Sequence, residues 1–440
     1  MSFLADLAAR RRFGMRPGLE TMRALCDALD EPQRRFKALH VAGTNGKGAV
    51  CAILDAALRA TPGLRVGRYT SPHLVKLNER FFLDGAPVDD ATLERIAKKV
   101  ENSIPRLSPD ATPTFFEALT AVAFQLYAEA KADYAVLECG LGGRLDATNV
   151  CDPALCVITK IGLDHCDWLG DTVEKIAAEK AGIVKPGVPV VLGRNEPSVR
   201  AVVEARAREV GAPFFFAPDL ADESEIPADF SLVGSFNREN AVTALAALKV
   251  LADSQSHGTK HKAQSTKHKA QSTPIPSSIV WPGRYQKVGD FIVDGAHNPP
   301  AARALAEALR GELKHSNPQT PKRFALIAGF CGDKDVREVL SILAPFVSKG
   351  YAVRTNNPRS LTAEETAVQM RAVGIDAVAC SSLREAISAQ GTRPKAQGTR
   401  HKAQSTLICG SLFLAGEALV ELGAYPWGPI RYDPSEKLKI

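Results

Sequence analysis

The chain has 440 residues, 45% hydrophobic and 24% charged, the balance of a globular protein long enough for roughly two to four domains. With 55 Lys and Arg against 49 Asp and Glu the net charge is +6, and where that excess sits decides whether an anionic macromolecular partner is called for. The longest apolar stretch, 118–128, is broken by Thr120 and Gln125, and the N-terminus carries Asp6 without a long apolar segment, so neither a membrane span nor a secretory signal is expected.

Nine scattered cysteines without a C-x-x-C pair point to thiols in a reducing cytoplasm rather than to disulfides or a zinc site. The first predicted strand, 38–42, runs into Val41-Ala42-Gly43-Thr44-Asn45-Gly46-Lys47-Gly48 and a helix at 48–60. Glycines between a strand and a helix let backbone N–H groups approach phosphate oxygens, the helix N-terminus adds partial positive charge, and Lys47 can reach a terminal phosphate. The motif departs from the usual eight-residue phosphate loop at Val41 and lacks a Ser or Thr after Lys47, so a plain βα connection stays open as the alternative.

A helix at 115–130 precedes a strand at 134–138, which ends in Glu138 and the loop CGLGGRLDATN. A carboxylate at the C-terminal end of a parallel strand, ahead of flexible glycines, lies where such sheets bind ligands, and its oxygens suit Mg²⁺. A surface acid on a glycine-rich loop is the bland alternative. The strand at 155–161 leads to Ile161-Gly162-Leu163-Asp164-His165, and a helix at 173–184 presents Lys180. A lone histidine and a helical lysine are ordinarily structural and solvated, but their order after Glu138 on successive strands directs all three toward one crevice.

A strand at 188–192 and a helix at 240–251 come next, then low-complexity sequence. Residues 259–265 read TKHKAQS and 266–272 repeat it; 392–398 read TRPKAQG and 399–405 read TRHKAQS. These copies have no acid, no large apolar side chain and no a/d seam, so they have nothing to bury. They hold eight positive charges, and taking eight from +6 leaves −2 for the rest: a mildly acidic protein with two basic loops. No aromatic is interleaved for base stacking, so no nucleic-acid partner is expected.

Trp281-Pro282-Gly283-Arg284 forms a turn before a strand at 291–294, a helix at 301–313 and strands at 324–328 and 407–409. Strands alternating with helices predict an α/β protein on a mostly parallel sheet, with a smaller Rossmann-like second domain. The turn places the boundary: 1–283, with an insertion at about 253–278, and 284–440, with one at about 389–405.

HVAGTNGKG, TSPHL followed by NER, TFFEALTAVAF, ECGLGGRLDATN, ITKIGLDH, IAAEKAGIVKPG, WPGR, DGAHNP and GSLFLAGE occur in the order of the Mur-ligase superfamily. The chain closely resembles its folate branch, the folylpolyglutamate synthases, in bacteria often bifunctional with dihydrofolate synthase. The resemblance runs from about 13 to 427 outside the repeats and implies an N-terminal P-loop ATPase domain and a Rossmann-like glutamate-ligase domain.

That likeness implies that Thr44, Asn45, Gly46, Lys47 and Gly48 wrap the ATP phosphates, with Asn240 on the adenine side and Arg284 and Asp294 completing the nucleotide contacts. It implies Mg²⁺ ligands at Ser71, Glu138 and His165, two Mg²⁺ ions and a monovalent cation, and a carbamylated Lys180. Thr114, Phe115, Phe116 and Glu117, with Leu145, Asp146 and Ala147, align with pterin-holding segments, and His297 and Ser411 with the glutamate site. Lys47, His165, Lys180 and Arg284 are then the catalytic set.

Two departures stand out: Ala49 replaces the family's Ser or Thr, and Gly234-Ser235-Phe236-Asn237 replaces the more usual G-x-H-Q. Neither removes a charged group. The expected activity is ATP-dependent addition of L-glutamate to dihydropteroate, folates or both, through an acyl phosphate, in a cytoplasmic monomer with no membrane partner. A peptidoglycan-precursor ligase and an inactive nucleotide-binding homologue are the rivals. Lys180→Ala is expected to abolish most activity and Lys185→Ala little.

Overall fold

Parallel strands covered by helices on both faces are buried on both faces and read as apolar runs. The computed structural model, which describes residues 18–104, 112–257, 274–313, 324–390 and 405–428, has that character. The repeat copies lie outside these residues apart from Ser405. Strands β1 (Lys37–Ala42), β5 (Tyr134–Glu138) and β7 (Val190–Leu192) are buried throughout except Lys37. With β2 (Val66–Tyr69), β3 (Phe81–Leu83), β4 (Ala86–Pro87), β6 (Pro153–Ile158) and β8 (Phe214–Phe216) they form an eight-stranded sheet ordered β4-β3-β2-β5-β1-β6-β7-β8. Only the short β3 and β4 pair antiparallel.

Helices α1 (Glu20–Ala28), α2 (Lys47–Arg59), α3 (Asp90–Ser103), α4 (Phe115–Glu129), α5 (Val173–Ala181), α6 (Pro197–Glu209) and α7 (Ser235–His257) accompany this sheet. One apolar cluster joins Met22 and Leu25 of α1, Ile96 of α3 and Leu119 and Phe124 of α4 to Tyr69 and Phe81. A second joins Ile176 and Ala177 of α5 and Val199 and Val203 of α6 to Ile158, Val190 and Leu192. Each apolar helix stripe is thereby withdrawn from water, at about 25 cal/mol per Å².

Connections from the adjacent strands β1 and β6 leave in opposite directions, to β2 and to β7, so the sheet has a switch point between them. The strand expected at 155–161 stops at Ile158 for a related reason. Lys160 O accepts from Thr44 N (2.9 Å) and Asn45 N (3.2 Å), and Thr159 Oγ1 donates to Asn45 O at 2.7 Å. Residues 159–161 thus leave the ladder to hold the loop after β1.

A six-stranded sheet ordered β13-β12-β11-β14-β10-β9 is the second α/β layer system. Its strands are β9 (Gln286–Val288), β10 (Phe291–Val293), β11 (Phe324–Ala328), β12 (Val347–Ala352), β13 (Ala377–Ala379) and β14 (Thr406–Cys409), parallel except β9. Its helices are α8 (Pro299–Leu313), α9 (Val336–Leu343), α10 (Ala363–Ala372), α11 (Leu383–Ser388) and α12 (Leu412–Glu421). Leu305, Leu309, Leu326, Phe330, Leu340, Met370 and Leu407 belong to its core.

The α/β fold, mostly parallel in each sheet, is as expected. The chain divides into Met1–Ser231 with Asn237–Ile279, and Leu232–Phe236 with Val280–Ile440, where the turn at 281–284 predicts a single cut at 283. A five-residue excursion has no local composition signal, because Phe236 is assigned by its packing against the second core. Among the described residues no helix is long and apolar enough to cross a membrane.

Candidate active site

At the switch point the loop after β1 is built from both ends. Thr44 Oγ1 donates to Gly162 O (3.0 Å), Gly162 N lies 3.1 Å from the same hydroxyl, and Lys47 Nζ donates to Thr44 O at 3.2 Å. Gly46 caps α2 with φ +87°, and a Cβ there would lie 2.2 Å from Asn240 Oδ1. Glycine is therefore required both by the left-handed backbone and by Asn240, which the fold brings against the loop from a helix about two hundred residues away. Gly46→Ala is expected to lose about 1–2 kcal/mol of stability and to weaken nucleotide binding at least about tenfold. A thermal melt and an AMPPNP titration check this, and an unchanged nucleotide affinity would remove Gly46 and Asn240 from the nucleotide site.

Lys180 is the most perturbed cation of the site. Its Nζ donates to Gly43 O at 2.8 Å, it is 4% exposed, and burial first and the Lys47 ammonium second hold its amine down at about 7. Lys180 thus departs from the usual solvated lysine of a helix surface. Lys185 is not a silent comparison either, since its Nζ donates to Asn149 O at 2.9 Å and ties down the loop after β5.

Glu138 ends β5, is 4% exposed and accepts from Ser71 N at 2.9 Å, which joins two of the three predicted metal ligands. The Ser71 loop is shaped by Glu79, whose carboxylate accepts from Leu74 N, Val75 N and Lys76 N at 2.7, 2.8 and 2.7 Å. That contact explains why TSPHL and NER occur together. His165 sits on the 162–165 loop tied to Thr44, in left-handed backbone at φ +53°, with its side chain 42% exposed and Nε2 3.8 Å from Asp164 Oδ1. A carboxylate and a hydroxyl are hard oxygen donors that suit Mg²⁺ or Mn²⁺, and the imidazole of His165 is a borderline third donor. Among the described residues no three His, Cys, Asp or Glu cluster as metal ligands.

The predicted pterin segments meet each other. Thr114 and Glu117 form the capping box of α4, Glu117 N donating to Thr114 Oγ1 and Thr114 N to Glu117 Oε2, so both side chains set the helix start. The Phe116 ring lies 6.0 Å from that of Tyr69, and a Cβ on Gly140 would lie 2.6 Å from Phe116 Cζ. Phe115 and Phe116 thereby stand beside the loop that carries Leu145 and Ala147. Asp146 is buried and locks that loop: its carboxylate accepts from Gly140 N, Leu141 N, Thr148 N and the Thr148 hydroxyl. Because the Thr148 hydroxyl donates to Asp146, it accepts from His40 Nε2 at 2.8 Å, which assigns the Nε2–H tautomer. Burial holds that imidazole down at about 3 and keeps it neutral. The sequence offered no sign of this His40–Thr148–Asp146 chain beyond the residues themselves.

In the second unit the remaining candidates gather at the ends of β10 and β14. Asp294 is buried and accepts from Tyr285 N (2.7 Å) and Ala296 N (2.8 Å); burial raises its carboxyl, opposed by the charge of Arg284. Arg284 donates to Gly283 O at 3.1 Å, and His297 Nδ1 lies 2.7 Å from Gly295 O. Gly410 N donates to Ala296 O, which brings in Ser411, buried, whose hydroxyl accepts from Leu414 N and caps α12.

Residues 41–210 match the Mur ligase middle domain and residues 283–411 the Mur ligase, glutamate ligase domain. The chain is similar to the dihydrofolate synthase/folylpolyglutamate synthase of Bacillus subtilis (strain 168), 32% identical over 382 residues covering 81% of this chain and 85% of that protein. E. coli FolC in complex with DHPP and ADP matches with a TM-score of 0.77 and 30% identity over 96% of this chain and 98% of that one. The bifunctional folylpolyglutamate synthase/dihydrofolate synthase of Yersinia pestis, complexed with AMPPNP and Mn ion, matches with a TM-score of 0.78 and 29% identity, again over 96% and 98%.

Proposed function

Because the chain belongs to the folylpolyglutamate/dihydrofolate synthase family of Mur-type ligases, we propose that it joins L-glutamate to dihydropteroate, to folates, or to both, at the expense of ATP. It is a ligase that forms carbon–nitrogen bonds. The observation that supports the reading best is the switch-point loop, with Lys47 at its end, Asn240 and Lys180 reaching it from other helices, and Glu138 at the end of the next strand but one from β6.

A carboxylate is a poor acyl donor. In the proposed reaction its oxygen attacks the γ-phosphorus of ATP, the bond to the β-phosphate oxygen breaks and ADP leaves. The amine of glutamate then attacks the acyl carbon, a C–N bond forms, phosphate departs and the amine loses a proton. Loop N–H groups at the start of α2 bind phosphate, and the Lys47 ammonium offsets charge on the transferring group. Glu138, Ser71 and His165 would hold Mg²⁺, which when bound neutralises phosphate charge. Ala49, buried in α2, offers no hydroxyl for that task.

A neutral Lys180 amine beside the loop is suited to capture CO₂ as a carbamate, replacing an ammonium by an anionic oxygen donor. Arg284 and Asp294 are assigned to nucleotide, His297 and Ser411 to glutamate, and the segments 114–117 and 145–147 to the pterin. Two Mg²⁺ ions, a monovalent cation, a monomer, no nucleic-acid partner and a cytoplasmic location complete the reading; nine cysteines, all free, suit a reducing compartment. The test is phosphate release dependent on glutamate, with dihydropteroate and tetrahydrofolate compared. Release with either substrate is expected, and ATP binding without release from any pteroate or folate would make the chain an inactive homologue.

A further inference from the structure

We propose that Arg80 binds the carboxylate of the acceptor substrate, the group that ATP activates; this deepens the ligase reading above and rests on it. Two arginines of the first unit are buried to the same degree, Arg68 and Arg80, each 3% exposed. Arg68 has its counter-ion: NH1 lies 3.1 Å from Asp55 Oδ2, on a carboxylate that is itself buried. Arg80 forms no ion pair among the described residues. Its Nε donates to His73 Nδ1 at 2.9 Å, and Tyr69 offers a neutral hydroxyl. Glu79, next to it in sequence, turns its oxygens to the N–H groups of 74–76 instead.

A buried guanidinium without a carboxylate in contact is costly, because the solvation it gave up is only partly replaced by more distant opposite charge. Arginine cannot escape by losing its proton at any working pH. Burial does pull its pKa below the ordinary value, with Tyr69, Glu138 and Glu79 acting in the opposite direction. An anion delivered by a ligand resolves the imbalance.

The surroundings specify which anion. The Phe115 ring centroid lies 5.7 Å from Arg80 Cζ, and Tyr69 and Phe116 stack nearby at 6.0 Å, so the cation stands against a wall of flat apolar rings. Glu138, the proposed metal ligand, is close enough to act on Arg80 through its charge. A flat aromatic acid fits this place: its ring against the phenyl rings and its carboxylate on the planar fork. His73, accepting from Nε, fixes the rotation of the fork, and is a positioning residue.

The test measures binding of dihydropteroate, of its neutral carboxamide and of AMPPNP to wild type, Arg80→Gln and Arg80→Lys by calorimetry. Arg80→Gln is expected to weaken dihydropteroate roughly ten- to a hundredfold while the carboxamide and AMPPNP change by no more than about twofold. Arg80→Lys, which keeps the charge without the fork, is expected to fall between. Equal losses for acid and amide would show a structural role, and no loss for the acid, or a loss confined to AMPPNP, would equally overturn the assignment. If Arg80→Gln does not fold, the acid-to-amide ratio in Arg80→Lys decides: an unchanged ratio overturns the proposal. Wild type that binds neither acid nor amide would overturn the ligase reading itself, and the assignment with it.

Discussion

Lys47→Ala is expected to lower glutamate-dependent phosphate release by about two to three orders of magnitude, with kcat and kcat/KM falling together. Lys47 opens α2, and among the described residues its ammonium makes a single hydrogen bond, to Thr44 O at 3.2 Å. Removing one such bond costs the fold about 1 kcal/mol, so a melt should move by only a few degrees. The catalytic loss is larger because the charge acts where negative charge is redistributed in the transition state, in a site partly shielded from water. Lys47 also helps to depress Lys180, so the alanine variant should raise the Lys180 pKa. Steady-state rates on the purified variant check the claim. A kcat within about threefold of wild type would take Lys47 out of the phosphate site.

Lys180→Ala is expected to abolish most turnover, and a comparison at exposed Lys175, which pairs with Asp171 at 2.8 Å, to abolish little. With its pKa near 7, about a tenth of the Lys180 amine is neutral at pH 6 and about nine-tenths at pH 8. Only the neutral amine attacks CO₂, so enzyme stripped of CO₂ should regain activity on adding bicarbonate more fully at pH 8 than at pH 6. A carbamate carbon signal from ¹³C-bicarbonate, present in wild type and absent in Lys180→Ala, is the direct measurement; its absence from active wild type would refute the modification.

Stability should respond in a defined direction. Without CO₂, the folded pKa lies below the ordinary 10.5, so between about 7 and 10.5 the unfolded chain binds more protons than the folded one. Lys180 therefore weakens the fold most at and below neutral pH, and that penalty is relieved as pH rises across this window. Lys180→Met should flatten the rise in unfolding free energy measured in CO₂-free buffer.

The features legible in the chain were those written in neighbouring residues. Gly43 to Lys47 between an apolar run and a helical pattern announced a phosphate loop, and Glu138 at the end of an apolar run announced an acid at a strand terminus. The repeats could be set aside because charge without apolar surface cannot form a core. Strands such as β1, β5 and β11 were readable because both faces are buried, whereas β3 and β4 carry too few residues for any period to show.

Other features depend on residues brought together from far apart. Lys180 looks like any lysine on a helix, and is buried only because α5 packs where its amine meets Gly43 O, 137 positions away. Arg68 and Arg80 are equivalent letters in the sequence, yet one pairs with Asp55 on α2 and the other has no ion pair among the described residues. Composition and motif order therefore determined the fold class, the family and the candidate phosphate loop, since these depend on local periodicity and short spacings. The tertiary structure alone decided which charges lose their water and which of those keep a partner, because desolvation and Coulomb pairing are set by distance in space.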